Sequence, residues 1–294
     1  MPKTLNDGST QSPRLKIYLN LNTLTDLPDF SIWPKLQGAE AMAYLKQAGF
    51  EGVQDGDAAL ARNAGLGSAT SGRVDTITEA DSNAKKWKDQ GHESATLHVG
   101  NGFEDDPEMD ALVDSVLNAS TKHDFPLYIE THRATITQDV WRTTQLTHRI
   151  PEVRFNADFS HYYTGQELVY GDLPAKFKKM QPIFDRTRFM HGRIGSQGCM
   201  QVDIGDGESP AKQARGNFDF LAHHRQMWTL AMKGFLKEAK PGDYLVFAPE
   251  LLTPFTYYAR QFAQADGSLR EESDRFAQAL VYTKIAKECF EAAL

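Results

Sequence analysis

Four ionisable residues stand where apolar runs end. Glu130 closes "PLYIE", Asp158 closes "VRFNAD", His191 lies within "RFMHG" and Glu250 closes "YLVFAPE". Each follows a stretch that would ordinarily be buried, and burying a charge without a partner is costly. A cation resolves that cost. Three carboxylates and one imidazole form a hard, oxygen-rich ligand set that suits one divalent ion, Mn²⁺ first, with Mg²⁺, Co²⁺ or Zn²⁺ also accommodated. Any one of these residues alone would be read as a helix cap or an arginine partner. Four on neighbouring strands have a single convergence point, and the conjunction points to a metal.

The elements that must position them can be counted. Strand candidates are 15–22, 50–56, 65–72, 94–100, 125–131, 153–159, 188–195 and 243–251. The third, "GLGSATSG", is the faintest because it is rich in glycine and serine. Segments with apolar residues at helical spacing follow them, from "AEAMAYLKQA" to the closing "SDRFAQALVYTKIAKECFEAAL", and Asp106-Pro107 and Asp172-Leu173-Pro174 mark helix starts. Eight strand–helix units predict an α/β fold, a closed (β/α)8 TIM barrel in a single domain, with an open doubly wound sheet as the alternative. Residues 1–14 are expected to be a flexible N-terminus and 15–294 the barrel. In such a barrel the βα loops at the C-terminal ends of the strands build the active site, and Glu130, Asp158, His191 and Glu250 fall at the ends of strands five to eight.

Further candidates lie at the same end. His98 ends the fourth strand and His161 follows Asp158 in "DFSH". Arg193 follows His191, and Trp33 could supply an apolar wall for a bound small molecule from the loop after strand one; core packing is the competing reading for Trp33. Asn20 and Gln54 end the first two strands and are weaker candidates. His132 and Arg133, just after Glu130, would meet a polar substrate or face solvent. His223 and His224 are adjacent on a long amphipathic helix and read as a helix face.

Composition narrows the function classes. The chain has 294 residues, 40% of them apolar, and a net charge of −7, which argues against a surface built for nucleic acid and favours a small-molecule partner. Cys199 and Cys289 form no CxxC pair, so neither a disulfide framework nor a thiolate cage is indicated. No apolar run approaches the roughly 20 residues needed to span a bilayer, and the first residues lack the apolar core of a signal peptide. A cytoplasmic enzyme without membrane partners is the expectation.

This residue pattern resembles the xylose isomerase-like barrels, a group that includes ketose 3-epimerases, inosose dehydratases, hydroxypyruvate isomerases and the endonuclease IV family. The resemblance spans most of the chain in strand order and is strongest from Glu130 to Glu250. It implies that Glu130, Asp158, His191 and Glu250 hold the ion and that Glu130 and Glu250 also move the proton. "DFSH" matches the group's Asp-x-x-His, and Arg193 its substrate-side arginine, so His161, Arg193, His98 and Trp33 are the substrate-binding candidates. The trinuclear zinc pattern of endonuclease IV is incomplete: no histidine occurs near strand three, and Gly205 stands where another would fall in "VDIGD". An AP endonuclease is therefore disfavoured, and no second acidic cluster supports the two-metal pattern of xylose isomerase. The implied activity is isomerisation or epimerisation of a sugar, keto-sugar or cyclitol through an enediolate. A dehydratase or keto-glycoside-cleaving lyase is the alternative, and a non-catalytic sugar-binding barrel is a third reading. Barrels of this group often dimerise, which makes a homo-oligomer a further expectation.

Overall fold

The computed structural model describes residues 4–208 and 219–294. Eight parallel strands close into a barrel in sequence order: β1 (Arg14–Asn20), β2 (Gly52–Gln54), β3 (Gly67–Val74), β4 (Ser94–Val99), β5 (Leu127–Glu130), β6 (Phe155–Ala157), β7 (Thr187–Gly192) and β8 (Tyr244–Pro249). The eight expected strands are all present, and β8 pairs with β1 from Arg14↔Tyr244 to Ile17↔Phe247, which removes both sheet edges. The crossovers are α1 (Gly38–Gln47), α2 (Ala58–Asn63), α3 (Glu79–Gln90), α4 (Asp106–His123), α5 (Val140–Arg149), α6 (Ser160–Gly165), α7 (Leu173–Phe184), α8 (Phe220–Glu238) and α9 (Arg275–Glu291). Side-chain oxygens of Asp57, Asp105, Asp139, Asp172, Asp219 and Asp274 cap the starts of α2, α4, α5, α7, α8 and α9 and satisfy orphan backbone N–H groups there.

β3 is faint in sequence for a packing reason. A Cβ at Gly52 or Gly67 would collide with the Tyr18 ring, and one at Gly72 with Trp87. Small residues there make room for two large aromatics, at the expense of strand propensity. A short hairpin of β9 (Gln261–Ala263) and β10 (Leu269–Glu271) was not expected. It inserts between β8 and α9, and most of its residues are exposed, so it lacks the alternation by which a half-buried strand is recognised.

The N-terminal segment is anchored at one point. Leu5 is 4% exposed, its N–H donates to Tyr128 Oη at 3.2 Å and its carbonyl accepts from Tyr244 N at 3.0 Å. Asn6 bridges to Asp243, and with Tyr18, Tyr128, Phe189 and Tyr244, Leu5 belongs to one buried apolar cluster at the N-terminal end of the barrel. Leu5 is the one buried residue among 4–14, held because the open end of the barrel offers it aromatic surface, and most of the others are exposed. Of the polar loop 196–217, residues 209–217 lie outside the described residues.

Candidate metal centre

Each ligand candidate owes its place to strand register. Glu130 is the last residue of β5 and pairs with Asn156 on β6; Ala157, just before Asp158, pairs with Met190, and His191 pairs with Ala248, two residues before Glu250. Staggered in this way around the C-terminal end, Glu130, Asp158, His191 and Glu250 each bring one ligand atom to within 4.8 Å of the others. Glu130, Asp158 and His191 are buried, while the Glu250 side chain is 13% exposed and faces the mouth.

Polar residues of the neighbouring strands hold the four in place. His191 Nε2 lies 2.9 Å from Gln54 Oε1, and the Gln54 amide in turn donates to Thr96 Oγ1 at 2.8 Å. That leaves His191 Nδ1 facing Glu130 Oε2 and Glu250 Oε2, at 3.4 and 3.3 Å. Asn156 donates to Glu130 Oε2 at 3.1 Å, and Asn20 donates to Glu250 Oε1 at 3.0 Å. Ser160 donates to Asp158 Oδ1 from both its backbone N–H (3.0 Å) and its hydroxyl (2.6 Å). Asp158 Oδ2, buried beside it, has no hydrogen-bond partner.

The electrostatics ask for a cation. Burial pushes Asp158 up to about 6, Arg193 opposing and Glu130 and Glu250 adding to the rise. Burial also opposes ionisation of Glu130, but His191 outweighs it and holds that carboxyl well below its usual range; His191 and Arg193 lower Glu250 against its own burial. His191 itself is raised well above an ordinary histidine, because Glu250 and Glu130 together overcome its burial. A proton on His191 and the guanidinium of Arg193 are therefore the positive charges against three carboxylates. Arg193, 1% exposed, contacts Glu250 Oε2 closely and lies 3.5 Å from Asp158 Oδ2. A divalent ion fits this set on three counts: three oxygen donors with one nitrogen, an orphaned carboxylate oxygen aimed among them, and a histidine whose second nitrogen is already oriented.

No family model matches the chain, and no curated protein sequence matches it. Solved structures do. A xylose isomerase-like TIM barrel protein from Mycobacterium smegmatis, in complex with magnesium, is similar with a TM-score of 0.52 at 10% identity over 98% of both chains. The likeness shows a shared (β/α)8 barrel fold. A D-tagatose 3-epimerase-like protein is similar with a TM-score of 0.51 at 11% identity, covering 95% of this chain and 98% of its own. The probable 3-DHS dehydratase AsbF of Bacillus anthracis is similar with a TM-score of 0.51 at 13% identity, covering 80% of this chain and 92% of its own.

Within this barrel the remaining candidates divide. His98, His161 and Arg193 lie at the four-residue cluster: His98 Nε2 is 3.3 Å from Glu130 Oε1, and His161 Nε2 is 3.6 Å from Asp158 Oδ2. The turn into α6 swings His161 inward, where both its ring nitrogens are buried without a hydrogen-bond partner. Burial, together with His132 and Arg193, keeps its imidazole neutral by lowering its affinity for a proton. Trp33 is not at the site: it is 6% exposed and packs edge-on against Tyr44 (5.3 Å between ring centroids) and Phe276 (4.9 Å), filling core between α1 and α9. His224 is a core histidine that bonds the Phe220 carbonyl, and His223 bonds Tyr163 Oη.

Asn20 and Gln54, weak in sequence, prove to be direct partners of two of the four. Asn156 and Tyr258 were missed. Asn156 sits two residues before Asp158 on the same face, a period-two signal that was available. Tyr258, 4.4 Å over the Arg193 guanidinium, comes from the loop after β8 and has no spacing to betray it. His132 stacks between His98 and His161, with ring centroids 4.3 and 4.0 Å away.

A second trio, His98, Glu130 and His132, also brings ligand atoms within 4.8 Å. Its chemistry differs. The Ala134 N–H donates to His132 Nδ1 at 3.1 Å, which places the ring proton of neutral His132 on Nε2 and leaves neither nitrogen with a free lone pair. The trio therefore fits a metal less well than the four-residue cluster.

Proposed function

We propose that the chain is a divalent-metal-dependent isomerase or epimerase of a sugar, keto-sugar or cyclitol, working by proton abstraction next to a carbonyl. The observation that carries the reading is the convergence of Glu130, Asp158, His191 and Glu250 within 4.8 Å, with Asp158 Oδ2 buried and not hydrogen-bonded. When bound, the ion, for which Mn²⁺ is our first choice, supplies Lewis-acid polarisation of neighbouring substrate oxygens and eases enediolate formation. Asp158 and His191 serve as ligands only. Glu130 and Glu250 reach the site from β5 and the end of β8, and their low proton affinity in the cluster keeps both ionised and able to accept a proton. One carboxylate removes the proton; in isomerisation the same group returns it, and in epimerisation the other carboxylate first takes a proton from solvent and then delivers it to the opposite face, while the first gives its proton up to solvent.

Arg193 holds Glu250 through its guanidinium and is itself covered by Tyr258, so this carboxylate is fixed in orientation. His161, with two unsatisfied nitrogens at 1% exposure, is suited to a substrate oxygen, and His98 anchors Glu130 from the β4 side. The small-molecule substrate, a cytoplasmic setting and assembly into a homo-oligomer belong to the same proposal. Among the described residues no helix is long and apolar enough to cross a membrane.

The second reading is a lyase on the same residues, in which the carbanion equivalent expels a neighbouring group instead of regaining a proton. The structural likeness to a probable 3-DHS dehydratase keeps this reading in view. A panel of keto-sugars with the Mn²⁺-loaded protein in deuterated water separates the two. Solvent deuterium at the carbon next to the carbonyl, with no loss of water or of a glycosyl group, is the expected result; elimination products would replace it by the lyase. Glu130→Gln is expected to abolish exchange, and unchanged exchange and metal content would overturn the assignment.

A further inference from the structure

The loop leaving β5 is braced beyond what a connection requires. Thr137 Oγ1 donates to the Glu130 carbonyl at 2.5 Å and accepts from the His132 N–H at 3.1 Å. Thr135 Oγ1 donates to the His132 carbonyl at 2.8 Å, and Ile136 N ties the loop to β4 through the Val99 carbonyl at 3.0 Å. Thr135, Ile136 and Thr137 are all fully buried. The residue these contacts fix is His132, which is itself only half-buried and open to the mouth.

Its ring is fixed in three respects. The His98 and His161 rings hold its plane from two sides, at 4.3 and 4.0 Å between centroids. The Ala134 N–H fixes its tautomer by occupying Nδ1, so the proton resides on Nε2. Among the described residues that Nε2–H meets no hydrogen-bond acceptor. One ring nitrogen of His132 lies within 4.8 Å of a Glu130 carboxylate oxygen, which sets the imidazole beside the proposed reaction centre.

A neutral imidazole with one committed nitrogen and one oriented N–H is a directional donor. We propose that His132 donates this hydrogen bond to a substrate oxygen adjacent to the pair of oxygens that chelate the ion. The substrate class then narrows to hydroxy-ketones with at least three contiguous oxygens. Two face the metal ligands and the third faces His132. This inference rests on the metal-dependent reading of the site.

The tautomer is read first, in the native protein, by long-range ¹H–¹⁵N correlation of the histidine rings. A His132 signal with the proton on Nε2 is expected, and a proton on Nδ1 overturns the proposal. The second test uses the Mn²⁺-loaded protein and two small probes, hydroxyacetone with two contiguous oxygens and 1,3-dihydroxyacetone with three, titrated by the broadening that bound Mn²⁺ causes in their proton resonances. Dihydroxyacetone should bind about three- to tenfold more tightly, the worth of one added hydrogen bond. His132→Phe, which keeps a ring between His98 and His161, should erase that preference while leaving Mn²⁺ content and hydroxyacetone binding unchanged. If the variant keeps the preference, or the native protein has none, the donor role fails and the metal reading stands. If Mn²⁺ does not bind, or broadens neither probe, the metal reading fails and the inference falls with it.

Discussion

Gln54 holds His191 in one orientation: its Oε1 lies 2.9 Å from Nε2, and Thr96 anchors the other end of the amide at 2.8 Å. Partners of this kind that orient a ligating histidine are worth about 10- to 100-fold in metal affinity. Gln54→Leu should weaken Mn²⁺ binding by that amount without removing a ligand. Calorimetric titration of metal-free protein checks this, and affinity within a factor of two of native would show that the Gln54 contact does not tune the site.

Asp158 is expected to destabilise the metal-free protein and to stabilise the loaded one. It is buried, raised to about 6 by that burial, and has one oxygen without a hydrogen bond. Asp158→Asn should leave the melting temperature of the metal-free protein unchanged or higher. The native protein should gain about 2.7 kcal/mol when free Mn²⁺ is held at a hundred times its dissociation constant. The variant should lose most of that gain at the same ion concentration. Thermal melts with Mn²⁺ and with a chelator measure both, and an equal Mn²⁺ shift in the two proteins would remove Asp158 from the ligand set.

Much of this arrangement was legible in the sequence, and the reason is physical. A charged residue that terminates an apolar run in a parallel strand has few places to go, so Glu130, Asp158, His191 and Glu250 could be named before their geometry was known. Asn20 and Gln54 carry no charge, and their placement at strand ends is equally compatible with a hydrogen-bonded core. Trp33 was ambiguous because it lies in a loop, where spacing says nothing of direction; the aromatic surface of Tyr44 and Phe276 decides it. His132 was visible beside Glu130, but its importance depends on Ala134, Thr135 and Thr137 folding back onto it.

The β8 loop is held down by a buried ion pair. Arg275 Nε donates to Glu271 Oε1 at 2.6 Å, while its other nitrogens reach the carbonyls of Thr23 and Asp26 at 2.9 and 2.7 Å. Arg275→Met would strand a carboxylate whose side chain is 5% exposed. Breaking a buried pair in this way costs about 3–5 kcal/mol. Urea unfolding should show a loss of that order, and Glu271→Gln combined with Arg275→Met should recover part of it. A loss below 1 kcal/mol would mean that the pair is solvated in solution.

His224 should make the protein acid-sensitive. Burial lowers it from 6.5 to about 4, so the unfolded chain takes up a proton that the folded chain refuses. Stability contributed by the neutral ring is intact above pH 6.5 and is lost as pH falls toward 4, at up to about 1.4 kcal/mol per pH unit. In chelator-treated protein, His224→Phe should therefore show a shallower decline than native between those limits. Parallel declines would assign the acid sensitivity to other groups.

The packing of Leu5 against Tyr128 and Tyr244 has a consequence for traffic. Among the described residues, these together with Tyr18 and Phe189 fill one end of the barrel, which leaves the βα-loop end as the way to the cluster. Whatever enters to reach Glu130 and Glu250 must leave past the same residues, so a departing molecule and the next arrival compete for one passage.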